Sequence, residues 1–369
     1  MKIDFMKDCK KVRLGDICEI IMGQSPNSQN YNNENIGLPL IQGNADIYKN
    51  HLSPHMFTSI ITKTCEINDI IMSVRAPVGA VVIADIKACI GRGVCAIRTF
   101  ENQKYIYQYL LYFKNKWKNI SQGSTFESVN SNQIYNLSIP LPPIEEQQKI
   151  AEILSTQDKL IELKQKLIDK KKQQKKWLMQ NLLTGKIRLK GFEGEWEKVK
   201  LGDICEFLDN LRKPVKENER ISGCYPYYGA SGIIDYVDNY IFDGEYILLG
   251  EDGANIIMRS TPLAFKVKGK IWVNNHAHVL QVKLGYNIDF IVNLLESINY
   301  DKYNSGTAQP KLNREVCENL ILIVSTIEEQ TAIAKILSTQ DREIELLEKE
   351  LEQEKLKKKA LMQLLLTVK

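Results

Sequence analysis

The chain repeats itself, and a long repeat narrows the architectures open to it more than any single motif does. Residues 12–20, VRLGDICEI, return as residues 199–207, VKLGDICEF. Residues 145–186 return as 328–369 with 25 of 42 positions identical, including the run ILSTQD. Between the shared parts lie two blocks, about 25–120 and 208–300, that look almost nothing alike. A doubled frame with unlike inserts reads as a device that holds two different recognition surfaces a set distance apart.

The 369 residues suffice for two domains plus connecting helices, and 44% hydrophobic with 25% charged residues indicates a globular chain. A net charge of only +4 identifies no polyanionic partner by itself. The basic runs KKKQQKK (170–176) and KLKKK (355–359) read first as solvated helix faces and second as phosphate contacts. Eight cysteines are scattered without a CxxC pair, and Cys18 and Cys205, at equivalent repeat positions, read as small core side chains. The beginning, MKIDFMKDCKK, has no leader-like apolar stretch, and no run is long enough to span a membrane. These features predict a cytoplasmic protein with reduced thiols and no membrane partner.

The pattern predicts an α/β (α+β) fold: two globular domains joined by two long antiparallel coiled-coil helices, pseudo-twofold symmetric. The expected boundaries are 1–142 for the first domain, 143–186 for the first long helix, 187–325 for a linker and the second domain, and 326–369 for the second long helix. In each LGDICE copy the aspartate, Asp16 or Asp203, is placed as an N-cap would be and opens a short helix or turn. Both blocks alternate short Val/Ile runs with Gly, Pro, Asn and Asp, the mark of strands and turns. Helices are expected at 105–120, with an aromatic stripe assigned to the core, and at 288–297. PLPPIEEQ sets prolines and acidic residues at the start of the first long helix, which should end at Gly185. Leu154, Ile161 and Ile168 recur at sevens, as do Ile153, Leu160 and Leu167, and Leu337, Ile344 and Leu351 stand at the first set's places in the second copy. Such a seam needs a partner helix, and the simplest partner is the other copy. About 40 residues at ~1.5 Å each make a rod of roughly 60 Å.

Several chemistries lack their motifs. There is no GxxxxGK[ST] phosphate loop, no glycine-rich methyl-donor loop and no Asn/Asp-Pro-Pro-aromatic motif of adenine methyltransferases. The pairs His51/His55 and His276/His278 have no Cys or carboxylate at suitable spacing, so no metal site is expected. The chain reads as a non-enzyme.

The ordered set LGDICE, SVRAPVG with GRGV, GSTFES and IPLPPIEEQQKIAEIL resembles the specificity subunits of type I restriction-modification systems. In the second half PYYGASGI, FDGEYILLGEDGA and NNHAHVL look like another target-recognition domain of that family. One departure is VSTIEEQ where the first copy has LPPIEEQ, which weakens one helix start. The resemblance implies two target-recognition domains that each read half of a bipartite, asymmetric site in double-stranded DNA. It implies that the long helices set the spacing and dock two methyltransferase subunits, with restriction/translocase subunits joining the complex. It also implies no cofactor in this chain, S-adenosylmethionine, ATP and magnesium binding to the partner subunits.

Base edges are read by Arg, Lys, amide and hydroxyl side chains on loops. In the first domain the candidates are Ser25, Asn27, Gln29, Asn30, Tyr31, Gln42, Asn44, Arg75, Arg92, Ser124 and Thr125, with a buried ion pair as the rival role for Arg75. In the second they are Arg212, Lys213, Tyr227, Tyr228, Ser231, Asn255, Arg259, Asn274, Asn275, His276, Gln309 and Lys311. A coiled-coil scaffold that binds only proteins, and a fused enzyme, remain as alternatives at this stage.

Overall fold

A computed structural model describes residues 9–48, 51–119, 128–304, 306 and 309–367. Ser124, Thr125 and the end of the helix expected to reach 120 lie outside the described residues. The chain forms two compact units, Met1–Gln165 with Lys349–Lys369, and Lys166–Glu348. Each unit therefore takes part of both long helices.

In the first unit the strand Lys10–Arg13 pairs antiparallel with Ser138–Leu141 and runs into a one-turn helix, Leu14–Ile17. The helix starts earlier than expected. Arg13 is the N-cap residue and Asp16 sits inside the turn, both carboxylate oxygens accepting from the Arg13 guanidinium at 2.9 Å. Burial decides this: Leu14 is wholly inside and its amide donates to Leu137 O at 2.8 Å. The second unit repeats the arrangement, with Lys200 as N-cap, helix Leu201–Ile204, and the Leu201 amide on Leu320 O at 2.9 Å.

The first block folds into a four-stranded antiparallel sheet in the order Val81–Ile83, Ile70–Ser73, Val94–Thr99, Cys18–Met22. Beside it is a five-stranded sheet whose strands Leu38–Ile41 and Ala88–Ile90 run parallel. The helix Gln103–Phe113 ends before the expected boundary and continues as a 3-10 segment, 114–119. Its aromatic stripe is core: Tyr105 and Tyr109 are buried and donate to Pro140 O and Ser138 O. The second block forms a six-stranded sheet around Phe242–Gly250 and Ala264–Val273, and its helix is Ile288–Ser297. Cys18 and Cys205 are buried core residues at equivalent places.

The long helices span Ile144–Leu182 and Ile327–Leu365. They begin at equivalent isoleucines although the second lacks the prolines, and the repeated glutamine of EEQ accounts for that. Gln147, buried, accepts from the Asn102 amide at 3.1 Å and donates to Pro142 O and Glu101. Gln330, equally buried, accepts from the Asn287 amide at 2.9 Å and donates to Ser325 O. Asn102 and Asn287 are the side-chain caps of the two domain helices. Each glutamine thus ties the start of a long helix to the start of a domain helix, satisfying buried groups that would otherwise lack partners.

Within each unit the two long helices run antiparallel. In the first, Gln157 bonds Glu354 at 2.7 Å, Asp158 pairs with Lys358, and Lys164 pairs with Glu350 at 2.6 Å. In the second, Lys171 pairs with Glu343 at 2.7 Å and Lys175 with Asp341 at 2.5 Å. The seam set Leu154, Ile168, Leu337, Ile344 and Leu351 is buried and Ile161 half-buried, whereas Leu167 of the other heptad set is 42% exposed. The basic runs are not simply solvated. Lys171, Lys172, Lys175 and Lys358 meet carboxylates of the facing helix, which fixes register more than it adds stability. The first helix stops at Leu182, and Gly185 takes the left-handed backbone (φ 68°) that closes such an end.

A buried charge network is centred on the strand Ala277–Val282 of the six-stranded sheet. The His278 ring bonds Asp209 at 2.6 Å through Nδ1 and Leu312 O at 2.8 Å through Nε2. Both partners are acceptors, so both ring nitrogens carry protons. Burial opposes that charge, but the Asp209 hydrogen bond, aided by Cys317, outweighs it and lifts the His278 pKa from 6.5 to about 10. Asp209 is correspondingly held below its ordinary 3.8, the His278 bond and charge overcoming the effect of burial.

Leu337→Ala should cost about 2–5 kcal/mol in urea denaturation, and the exposed Leu167→Ala under about 0.5. A comparable loss at both positions would place the seam elsewhere. The stability His278 contributes is complete below about pH 6.5, its ordinary value, and disappears as pH rises through about 10. The gap in melting temperature between wild type and His278→Gln should therefore be widest at about pH 5–6, narrow from about pH 6.5 upward and close by pH 10 and above.

Candidate nucleic-acid interface

Three backbone segments meet at one place in the first unit. The Val74 amide donates to Gly93 O at 2.9 Å, the Val129 amide donates to Val74 O at 2.9 Å, and Arg75 bridges Ser128. Arg75 leaves the end of the buried strand Ile70–Ser73, and Arg92 sits in the turn between Ala88–Ile90 and Val94–Thr99. The turn is held by the Arg92 amide on Ser25 Oγ at 3.0 Å and the Gly91 amide on Ile41 O at 2.8 Å. Gly93 is required here, because a Cβ on it would lie 2.0 Å from Gln42 O. Asp46, buried, accepts from the amides of Gln42 (2.7 Å) and Gly43 (3.2 Å) and shapes the neighbouring turn.

Five candidates from separate parts of the chain, Ser25, Gln42, Asn44, Arg75 and Arg92, line one open cavity of about 260 Å³.

Both arginines are exposed, and among the described residues no carboxylate pairs with either, so the buried ion pair considered for Arg75 is not formed. Asn27, Gln29, Asn30 and Tyr31 stand apart from the cavity and build the adjoining turn. Asn27 caps it by accepting from the Gln29 amide at 3.2 Å, and the Tyr31 hydroxyl donates to Pro26 O at 3.0 Å.

The same junction recurs in the second unit. The Glu251 amide donates to His276 O at 2.9 Å, the Leu312 amide donates to Glu251 O at 2.7 Å, and Asp252 bridges Lys311. Asn275, His276 and Lys311 meet here, with His276 Nδ1 on Asp252 at 2.8 Å and Lys311 Nζ 3.3 Å from Glu251. Gln309, also exposed, lies two residues before Lys311. Arg212 reaches the junction but is engaged within it, at 2.7 Å from Glu251 and 2.8 Å from Ala277 O.

The remaining candidates of this unit are not brought together. Tyr227 is buried, its hydroxyl accepting from the Val215 amide at 2.9 Å, and Tyr228 packs on Phe265. Arg259 pairs with Glu296 at 2.7 Å, and Asn255 accepts from the Thr261 amide at 3.0 Å, so both hold local structure. Asn274 is buried and accepts from the His276 amide. Lys213 and Ser231 are exposed, the latter in the turn between Ser222–Gly229 and Gly232–Val237. Sequence reasoning passed over Glu251 and Asp252. Their signal is position, since they follow an apolar strand as Arg75 does, whereas a carboxylate by residue type alone argues against a surface that faces phosphates.

The model of the type I restriction modification DNA specificity domain matches the chain twice, at residues 6–173 and 193–355. A putative type I restriction enzyme MjaX specificity subunit from Methanocaldococcus jannaschii is 41% identical over 189 residues, 50% of this chain and 44% of the relative. The chain thus spans less than half of that relative's length. The MjaVIII specificity subunit of the same organism is 30% identical over 303 residues, covering 72% of this chain and 69% of the relative. The crystal structure of a type I restriction-modification S subunit from M. genitalium shares the fold, with a TM-score of 0.68 at 18% identity over 100% of this chain and 98% of that one. The chain belongs to the type I restriction-modification DNA specificity family and carries two copies of its domain.

Proposed function

We propose that each unit reads one half of a bipartite, asymmetric site in double-stranded DNA, and that the paired helices set the spacing and dock two methyltransferase subunits. The observation that carries this is the recurrence of one bridged loop junction in both units, furnished with different polar side chains. A shared junction with unlike side chains suits two recognition tasks of one kind and different content. Arg75 and Arg92, exposed beside Gln42 and Asn44, offer the donors that base edges and phosphates accept. In this reading the chain itself is not catalytic. Adenine methylation, translocation and cleavage, with S-adenosylmethionine, ATP and magnesium, belong to partner subunits.

The test is a map of methylated adenines in genomic DNA with and without the gene. Loss of one bipartite, asymmetric motif on deletion is the expected result; an unchanged map in a strain whose methyltransferase is active would refute the proposal. Duplex affinity of the purified chain should also fall by roughly tenfold or more between 50 and 200 mM salt, as counterion release requires. Salt-independent or absent binding would favour a scaffold that binds only proteins.

A further inference from the structure

The recurrent junction makes particular residues of the two unlike blocks equivalent, although their sequences do not align by eye. Val74 and Glu251 each donate to one loop and accept from another, and the next residue in each case bridges the residue just before that second donor, Ser128 before Val129 and Lys311 before Leu312. Arg75 therefore occupies the place of Asp252, and by the same bonds Gly93 occupies the place of His276. The chemistry at this one place is inverted. In the first unit it is an exposed guanidinium without a carboxylate partner among the described residues. In the second it is a carboxylate, 22% exposed, oriented by His276 at 2.8 and 3.0 Å. Glycine at position 93 brings no side chain to Arg75, whereas His276 braces Asp252.

We propose that positions 75 and 252 are equivalent base-reading positions, Arg75 selecting a guanine in one half-site and Asp252 a cytosine in the other. This rests on the DNA-reading function proposed above. An arginine can donate twice to guanine O6 and N7, while a carboxylate can only accept and so suits the N4 amino group of cytosine. A carboxylate facing DNA is otherwise disfavoured by the phosphates, which makes a base contact the better account of an acid at this position. Lys311 and Arg212, both paired with Glu251, offset the local negative charge.

The experiment is selection of duplexes from a randomised library by the full-length chain, comparing wild type with Arg75→Lys and Asp252→Asn. Arg75→Lys keeps the charge but not the two-pronged donor, so preference for guanine at one position of one half-site should fall roughly 5- to 150-fold with the other half-site unchanged. Asp252→Asn keeps an acceptor for His276 and should shift one position of the other half-site from cytosine to adenine. Matched melting temperatures establish that the variants fold; should Asp252→Asn not fold, Arg75→Lys alone decides the equivalence at its own half-site. Unchanged base preferences, or uniformly weaker binding to all sequences, would overturn the inference while leaving DNA reading intact. If the wild-type chain enriches no bipartite motif, the DNA-reading proposal itself fails.

Discussion

Each unit depends on a core that its own consecutive sequence cannot complete. Leu365, which ends the second long helix, and Leu366 just after it are buried with Leu14, Tyr105 and Leu154 in the first unit. Leu182 and Leu183, at the end of the first long helix, are buried with Leu201, Phe290 and Leu337 in the second. A helix that starts on one unit's core and finishes on the other's must keep its length and register, because a shifted seam would move leucines out of both cores. The repeated helices are identical over ILSTQD, and again over LMQ and LLT at the ends that carry these leucines.

Polar clamps and ion pairs refine that arrangement in different ways. Gln147 and Gln330 are buried and satisfy backbone groups at the point where two helices begin, so their loss would leave unpaired donors and acceptors inside. The cross-helix pairs of Lys171, Lys175 and Lys164 are closer to water, and their main effect is to favour one register and direction. The second unit adds a buried linker contact, Arg188 bound through two nitrogens to Glu329, with the Trp196 indole donating to the same carboxylate. That contact ties the segment after the first long helix to the first turn of the second.

Much of the frame was legible in the sequence because repeats and heptads report burial directly. Leu154, Leu337 and Leu351 recur at the spacing that a helical seam requires, and they are inside. The candidate site was less legible because residue type alone does not reveal engagement. Arg75 and Arg212 look alike in the sequence, yet one is exposed beside a cavity and the other is held by Glu251 and backbone carbonyls. Tyr227 stands among the candidate contacts in the sequence, yet it is buried and its hydroxyl accepts from the Val215 amide.

The sequence by itself determined the doubling, the long helices, their seam and the division into a common frame with two unlike blocks. These follow from local periodicity and identity, which need no knowledge of distant contacts. Only the tertiary structure decided that the unlike blocks share a junction, with Arg75 at the place of Asp252. That equivalence is carried by backbone hydrogen bonds between segments far apart in the chain, and such bonds leave the side chains, and hence the sequence, free to diverge.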